Sequence, residues 1–442
     1  MEGEDISRFG YRQELRREIT WVDVLIYSLV TMVPIAPWGI YGIVASVIGG
    51  MPSLAYLLGM LGMMPTPYAY FLMVKEFPLA GSVYNYAQRA VNPTYGFIAG
   101  ISIMLDYFLV PGLVYVVAAL AMNSLVPQIP YWAWVLIFLI PMTTVSVIGI
   151  RITAMANRLL LIIELAALLI FVGYAIGYAV IHKINPTFTP FYNPQTFKLD
   201  TLLNATSIAV LSYLGFDAAT TLAEEHRGRA MYIGRAVVLS VFLIGLMFIS
   251  QTYLAYLTYP TYNFQNPDTG FYEVATTVGG SILLAIVTIS TAIAWGIGDG
   301  LAVTTAIARV IYAMGRDRFL PRAVARVHPR FGTPWIATIV GGSISTIIAV
   351  TVPLDLLVSL VNFGALTAFI LLHVAVLYYF GYKKGELRPV LVSIAGLAIL
   401  IPVWYGLSFD AKMLGISWLI FWIIYTMIIT KGFKGRIAIP GI

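Results

Sequence analysis

The chain has 442 residues, 60% of them hydrophobic and only 10% charged, with a mean hydropathy of +0.87 and a formal net charge of +6. Soluble domains carry about a quarter charged residues, so this composition excludes a water-soluble enzyme and marks an integral membrane protein, whose positive charge serves loops beside anionic lipid rather than a nucleic-acid surface. Cysteine is absent, which removes disulfides, thiol nucleophiles and thiolate metal sites.

In chain order, apolar runs close to the roughly 20 residues that cross hydrocarbon as a helix fall at Ile19–Val44, Pro52–Val74, Tyr95–Met122, Trp132–Ile150, Leu159–Ile181, Leu203–Leu222, Ala236–Tyr259, Leu283–Ala313, Ile336–Val352, Leu356–Phe380, Pro389–Leu407 and Met413–Ile429. They predict an all-α membrane protein of about twelve transmembrane helices. The runs are continuously apolar, unlike the alternating strands of a membrane barrel.

The loops between them divide by charge. Arg8, Arg12, Arg16 and Arg17 precede the first run, Arg151 and Arg158 follow the fourth, and Lys431, Lys434 and Arg436 close the chain. With the basic residues after the second, sixth, eighth and tenth runs, 23 of the 26 Lys and Arg share one side, leaving Lys183, Lys198 and Lys412 for the other. By the positive-inside rule both termini are cytoplasmic, in a multi-pass protein of the cytoplasmic membrane. The charged amino terminus and the long first run, with no small-residue cleavage site, argue against a removable signal peptide.

Catalytic motifs are missing. His182, His226, His328 and His373 are far apart with no HExxH, and no lysine follows a glycine, which rules out a GxxxxGK[ST] phosphate loop. No enzymatic activity, cofactor or metal is expected. If the protein moves a solute uphill, an ion gradient must drive it.

Two runs carry irregular backbone. In VPIAPWGIYG (Val33–Gly42) two prolines delete helix hydrogen bonds and Gly39 admits unusual dihedrals; in SYLGFDAATTLAEE (Ser212–Glu225) Gly215 stands two residues before Asp217. Hydrocarbon tolerates irregular backbone only where it is buried in protein or lines a wet cavity. These are the first and sixth runs, five apart, and broken helices at matched positions of two halves point to the binding site of a transporter. A channel has no need of matched breaks, and no added signalling domain suggests a receptor.

These stretches, with FPLAGSVYNYAQRAVNPTYGFIAG (Phe77–Gly100), LDY (Leu105–Tyr107), MGRDRFLPRAVARVHPRFGTP (Met314–Pro334) and VNFGALTAF (Val361–Phe369), carry a family likeness. The chain resembles the amino acid, polyamine and organocation transporter superfamily, in particular its amino-acid permeases and putrescine importers. The resemblance covers nearly all of 1–442 as one transporter domain and implies the leucine-transporter fold. It implies a first inverted repeat over 19–181, a second over 203–380, and two peripheral helices over 389–429. It further implies an amino-acid permease working by alternating access, coupled to protons or less readily to sodium, with a polyamine or other organic-amine importer as the alternative. Thr304 and Thr305 are hydroxyls that a sodium ion would use. Oligomeric state is left open.

The implied substrate site lies beside the two breaks, at Ala36, Pro37, Trp38, Gly39, Tyr107, Tyr213, Gly215, Phe216 and Asp217. Amino-acid members often have a glycine-serine-glycine break where this chain has APWGIY, and Pro37 has no N–H to offer a substrate carboxylate. Polyamine importers carry an acidic residue near Gly39, and this chain has none there. Ionisable residues inside spans are functional candidates by default. Asp23 is expected to be solvated or paired with a basic loop residue. Asp106 serves either a structural hydrogen bond or a proton or substrate; Asp217 either caps the second half-helix or attracts the substrate amine. Glu164 sits among aliphatic neighbours and suits proton exchange, and Asp299, in WGIGDGLAV, is a second coupling candidate among glycines that also read as close helix packing. Glu224 and Glu225 match the family's acidic pair at the cytoplasmic end of the sixth span, where a gate with Arg or Lys is implied.

Overall fold

The computed structural model describes residues 6–429 apart from Pro127, Pro353, Gly406 and Ser408. Lys431, Lys434, Arg436 and the side chain of Arg151 lie outside the described residues. Sixteen α-helices run in order: α1 (Trp21–Met32), α2 (Pro37–Val47), α3 (Pro52–Met63), α4 (Pro65–Glu76), α5 (Val83–Ala90), α6 (Pro93–Leu125), α7 (Tyr131–Ile148), α8 (Ile150–Ile181), α9 (Leu199–Leu211), α10 (Met231–Thr258), α11 (Gly270–Ile293), α12 (Gly300–Arg316), α13 (Trp335–Thr351), α14 (Leu354–Val376), α15 (Leu387–Tyr405) and α16 (Phe409–Ile429).

Helix is the structure that hydrocarbon demands, since it satisfies every backbone group within the segment. Local signals set its starts. α2, α3, α4 and α6 each begin with a proline at their first position, where the missing N–H costs nothing. α1 begins with a capping box in which the Thr20 hydroxyl accepts from the Asp23 amide and Asp23 Oδ2 accepts from the Thr20 amide at 2.8 Å.

Among the described residues nine helical stretches are long and apolar enough to cross a membrane, and α1 with α2, bent by 51°, makes ten. The sequence predicts about twelve. The other two runs are also helical, as α13 with 17 residues and α16 with 21. At 1.5 Å per residue α13 is only about 26 Å long, short of a full crossing. Side chains facing outward are apolar, such as Ile162, Leu169 and Val180, each more than 60% exposed. A soluble surface would not hold that row, and lipid does.

Three boundaries differ from expectation. α11 starts at Gly270, well before Leu283, and kinks at Gly280 (φ 62°, ψ −155°), so its first turns form a cap over the bundle rather than part of the span. The sixth run is helical only to Leu211 and continues as a 3-10 segment, Phe216–Glu225. The eighth passes through a π-helical turn at Ala294–Asp299. α6, with 33 residues, is the central post and packs against α5, α7, α12, α13 and α14.

Candidate functional site

The first break follows Met32. Val33 adopts φ 52°, a value that β-branched residues rarely take, and the chain turns tightly into α2. Ala36 N donates to Val33 O at 2.7 Å, Trp38 N to Ile35 O at 2.9 Å and Gly39 N to Ala36 O at 3.1 Å. The Pro34 carbonyl is taken by Gln251 Nε2 of α10 at 2.9 Å. The break is therefore largely satisfied from within and by one neighbouring amide.

The second break follows Leu211. Ser212, Tyr213 and Leu214 donate three residues back, and Gly215 then takes φ 105° before the 3-10 segment begins. Ten residues of 3-10 helix are unusual, because its poorer hydrogen bonds normally limit it to a turn, and long stretches mark hinges or strain. Gly215 also sits against the first break: a Cβ there would lie 2.7 Å from the Thr31 carbonyl oxygen and 2.8 Å from Thr31 Cγ2. Glycine is required twice over, by dihedral and by contact. The two breaks touch.

A cavity of about 70 Å³ opens where they meet, room for about five to seven water-sized groups. Thr31, Met32, Val33 and Ala36 come from the first break, Leu211, Ser212, Leu214, Gly215 and Ala218 from the second. α6 supplies Asp106, Tyr107 and Val110; the π turn supplies Trp295 and Asp299. Two carboxylates thus face the cavity, and no Lys, Arg or His lines it. Asp106 and Asp299 are 4% and 6% exposed, and one carboxylate oxygen of each has no hydrogen-bond partner. A buried carboxylate without a partner is costly, so these oxygens await a proton or a cation.

The π turn has two faces. Trp295 and Asp299 look onto the cavity, while Gly298 packs against Glu164 of α8, where a Cβ would come within 2.9 Å of Glu164 Oε1 and 3.2 Å of Val30 Cγ1. Glu164 is fully buried, neither oxygen has a partner, and Asp299 is its electrostatic neighbour. The close approach of α14 to Asp106 follows from Gly364, whose added Cβ would lie 2.7 Å from the Asp106 amide.

Packed side-chain clusters stand toward both ends of the cavity. Toward one end Trp38 stacks on Phe271 at 5.3 Å and meets Phe171 edge-on at 6.0 Å, while Tyr41 packs against Phe264 and Phe271. Gly42 and Gly270 let the backbones of α2 and the α11 cap touch: a Cβ on Gly42 would lie 2.3 Å from the Pro267 carbonyl oxygen. Toward the other end Arg309 grips Glu225 with two bonds of 2.7 and 3.2 Å, and Arg316 grips Glu224 with two of 3.0 Å. Over these pairs runs the amino-terminal segment. Glu18 N donates to Glu225 O at 3.0 Å, Gln13 Nε2 to Glu224 O at 2.9 Å, and Tyr11 Oη to Asp317 Oδ1 at 2.7 Å. Burial and the Asp317 carboxylate together push the Tyr11 phenol well above its ordinary range, so it stays a donor. At this same end Asp23 pairs with Arg158, Nε to Oδ1 at 2.9 Å.

Of the residues singled out in the sequence, Ala36, Gly215, Tyr107, Asp106 and Asp299 line the cavity. The others stand behind its wall. Pro37 opens α2, and Gly39 lies against Trp295, 3.5 Å from the position of an added Cβ. Trp38 belongs to the aromatic closure. Phe216 is enclosed by Tyr70 and Phe369 at 5.7 and 5.6 Å, and Tyr213 donates to the Tyr56 carbonyl at 2.7 Å. Asp217, in the first turn of the 3-10 segment, accepts a hydrogen bond from Tyr107. Thr304 and Thr305 are engaged by Tyr115 and Ser146 at 3.1 and 3.0 Å. Trp295, Thr31, Ser212 and Gln251 escape sequence reasoning. Of these only Trp295, beside the WGIGDG glycines, left a local signal.

A bundle of apolar helices around an acidic cavity built from two broken helices defines a multi-pass membrane carrier. The chain belongs to the amino acid permease family, whose model matches residues 19–432. It is 28% identical over 96% of both chains to the low-affinity putrescine importer PlaP of Escherichia coli (strain K12). It is 25% identical to the branched-chain amino acid permease BcaP of Bacillus subtilis (strain 168), over 89% of this chain and 88% of that one. A methylthioribose transporter of the same Bacillus strain is 26% identical over 95% and 93%.

Proposed function

We propose that this protein is a secondary transporter that carries a small amino acid across the cytoplasmic membrane by alternating access, driven by protons. The observation that carries the reading is the cavity at the contact of the two breaks, lined by Asp106 and Asp299 and by no cationic side chain. Such a cavity suits a solute with an ammonium group. Trp295 and Ser212, both in the cavity lining, carry side-chain donors for a carboxylate, in place of the break amides that Pro37 and the tight turns remove. Tyr107 lines the cavity beside Asp106 and donates to Asp217 behind it.

Alternating access follows from the two closures. Opening the aromatic cap or releasing the Glu224 and Glu225 pairs exposes the same cavity to opposite sides, with 19–181 and 203–380 as the inverted halves that rock. The basic end, bearing the ion pairs, faces the cytoplasm with both termini. Glu164 exchanges the coupling proton with Asp299 through the π turn.

A second reading, import of a putrescine-like diamine, is favoured by one observation: the carboxylates of Asp106 and Asp299 stand on different walls, α6 and the π turn, and neither is neutralised by a side chain. The full-length likeness to a putrescine importer supports it. Uptake into liposomes of purified protein under an inward proton gradient, with labelled amino acids and putrescine side by side, tests both. Saturable accumulation of an amino acid supports the first reading, accumulation of putrescine alone establishes the second, and gradient-independent flux of either overturns the coupling.

A further inference from the structure

On the outside of the bundle, away from the substrate cavity, a crevice of about 590 Å³ opens between α6, α12, α13 and α16. Every side chain lining it is apolar. Phe108 of α6 and Ile344 of α13 form its walls, Trp418 and Trp422 of α16 its side, and Leu320 and Val324, from the loop after α12, its floor. In a membrane protein such a crevice is open to acyl chains, and apolarity alone says nothing about which lipid fills it.

The loop supplies that information. Arg309 and Arg316 of α12 are consumed by Glu225 and Glu224. The arginines that follow, Arg318, Arg322 and Arg326, are exposed, and none of the three takes part in an ion pair among the described residues. Arg322 opens the 3-10 turn Arg322–Ala325, whose Val324 lines the crevice and packs on Gly315, so the turn is held to the helix bundle. The three arginines stand in the chain within two residues of Leu320, Pro321 and Val324, which line the crevice, and positive charge beside an apolar slot matches a molecule with an anionic head and a hydrocarbon tail.

We propose that this crevice binds an anionic phospholipid, with one acyl chain between Phe108, Ile344 and the two tryptophans and the phosphate on Arg318, Arg322 and Arg326. The lipid seals the gap between α13 and α16 and holds the loop that carries on from the gate arginines. The site is separate from transport chemistry, and its test does not depend on the substrate.

Native mass spectrometry of the full chain, titrated in separate runs with phosphatidylglycerol and phosphatidylcholine of the same acyl composition, is the measurement. One phosphatidylglycerol should be retained under conditions that strip phosphatidylcholine. Replacing Arg318, Arg322 and Arg326 with Gln should weaken retention on the order of fivefold per arginine, and Ile344→Trp, which fills the slot, should abolish it with the arginines intact. Equal retention of both lipids overturns the proposal, as does wild-type retention by Ile344→Trp, which leaves only a surface charge patch, or a second copy of the chain found covering the crevice. If Ile344→Trp does not fold, phosphatidylglycerol brominated in its acyl chain should quench wild-type tryptophan fluorescence, and the quenching should be lost in Trp418→Phe/Trp422→Phe. Absence of that quenching overturns the proposal equally.

Discussion

Replacing Gly215 with alanine should break the contact between the two half-helices without touching any charged group. Two penalties are legible. Alanine must take φ 105°, which costs about 1–3 kcal/mol for a residue with a side chain. Its Cβ must also enter a space where Thr31 O and Thr31 Cγ2 stand at 2.7 and 2.8 Å. The first of these atoms is backbone and cannot rotate away, so overpacking adds about 1–3 kcal/mol. Together they disfavour the closed cavity by about 2–6 kcal/mol, and at about 1.4 kcal/mol per tenfold substrate affinity should fall at least thirtyfold. Equilibrium binding to detergent-solubilised protein reads this directly, with far-UV circular dichroism to show that the helices persist. Thr31→Ser added to Gly215→Ala removes the methyl clash but not the carbonyl clash, so it should restore only part of the loss. Wild-type affinity in a folded Gly215→Ala protein would refute the idea that the contact forms the site.

Glu164→Gln should leave substrate binding nearly intact and abolish accumulation driven by a proton gradient; unchanged acid-driven uptake removes Glu164 from coupling. Tyr107→Phe takes the donor from a buried carboxylate, a loss of about 1–3 kcal/mol, and both it and Asp217→Asn should weaken amine-bearing substrates several-fold in a competition assay. Equal affinities would leave Asp217 a packing residue. Arg309→Met strands the buried Glu225 carboxylate and should cost about 3–5 kcal/mol of stability in thermal unfolding, whereas Arg309→Met/Glu225→Leu recovers most of it. If the pair closes the inner side, the double variant should leak solute from liposomes, and a tight double variant would place the closure elsewhere. Pro37→Gly returns an amide to the first break and should strengthen amino-acid binding over putrescine binding; an unchanged ratio means the carboxylate is held by other donors.

The membrane class, the helical runs and the two irregular segments were legible because each follows from local chemistry. Hydrocarbon forces apolar runs of a certain length, and proline or glycine interrupts them wherever they occur. Asp106 and Asp299 stood out for the same reason, as charges where charge is expensive. Trp38 and Phe216, expected as pocket walls, are absent from the cavity lining, because an aromatic ring beside a break turns toward the cavity or away from it according to its neighbours. Phe271 and Phe171 drew Trp38 into the aromatic closure, and Tyr70 and Phe369 enclosed Phe216.

What the amino-acid sequence determined by itself is where the backbone had to break and which carboxylates stand inside the apolar runs, since dihedral freedom and desolvation are properties of a residue and its immediate neighbours. Partnership was decided only in three dimensions. Gly215 meets Thr31, Gly298 meets Glu164, and Arg309 finds Glu225, across separations of 184, 134 and 84 positions in the chain. No local pattern encodes such distances. They arise when helices pack, and the packing turns two isolated defects into one acidic cavity.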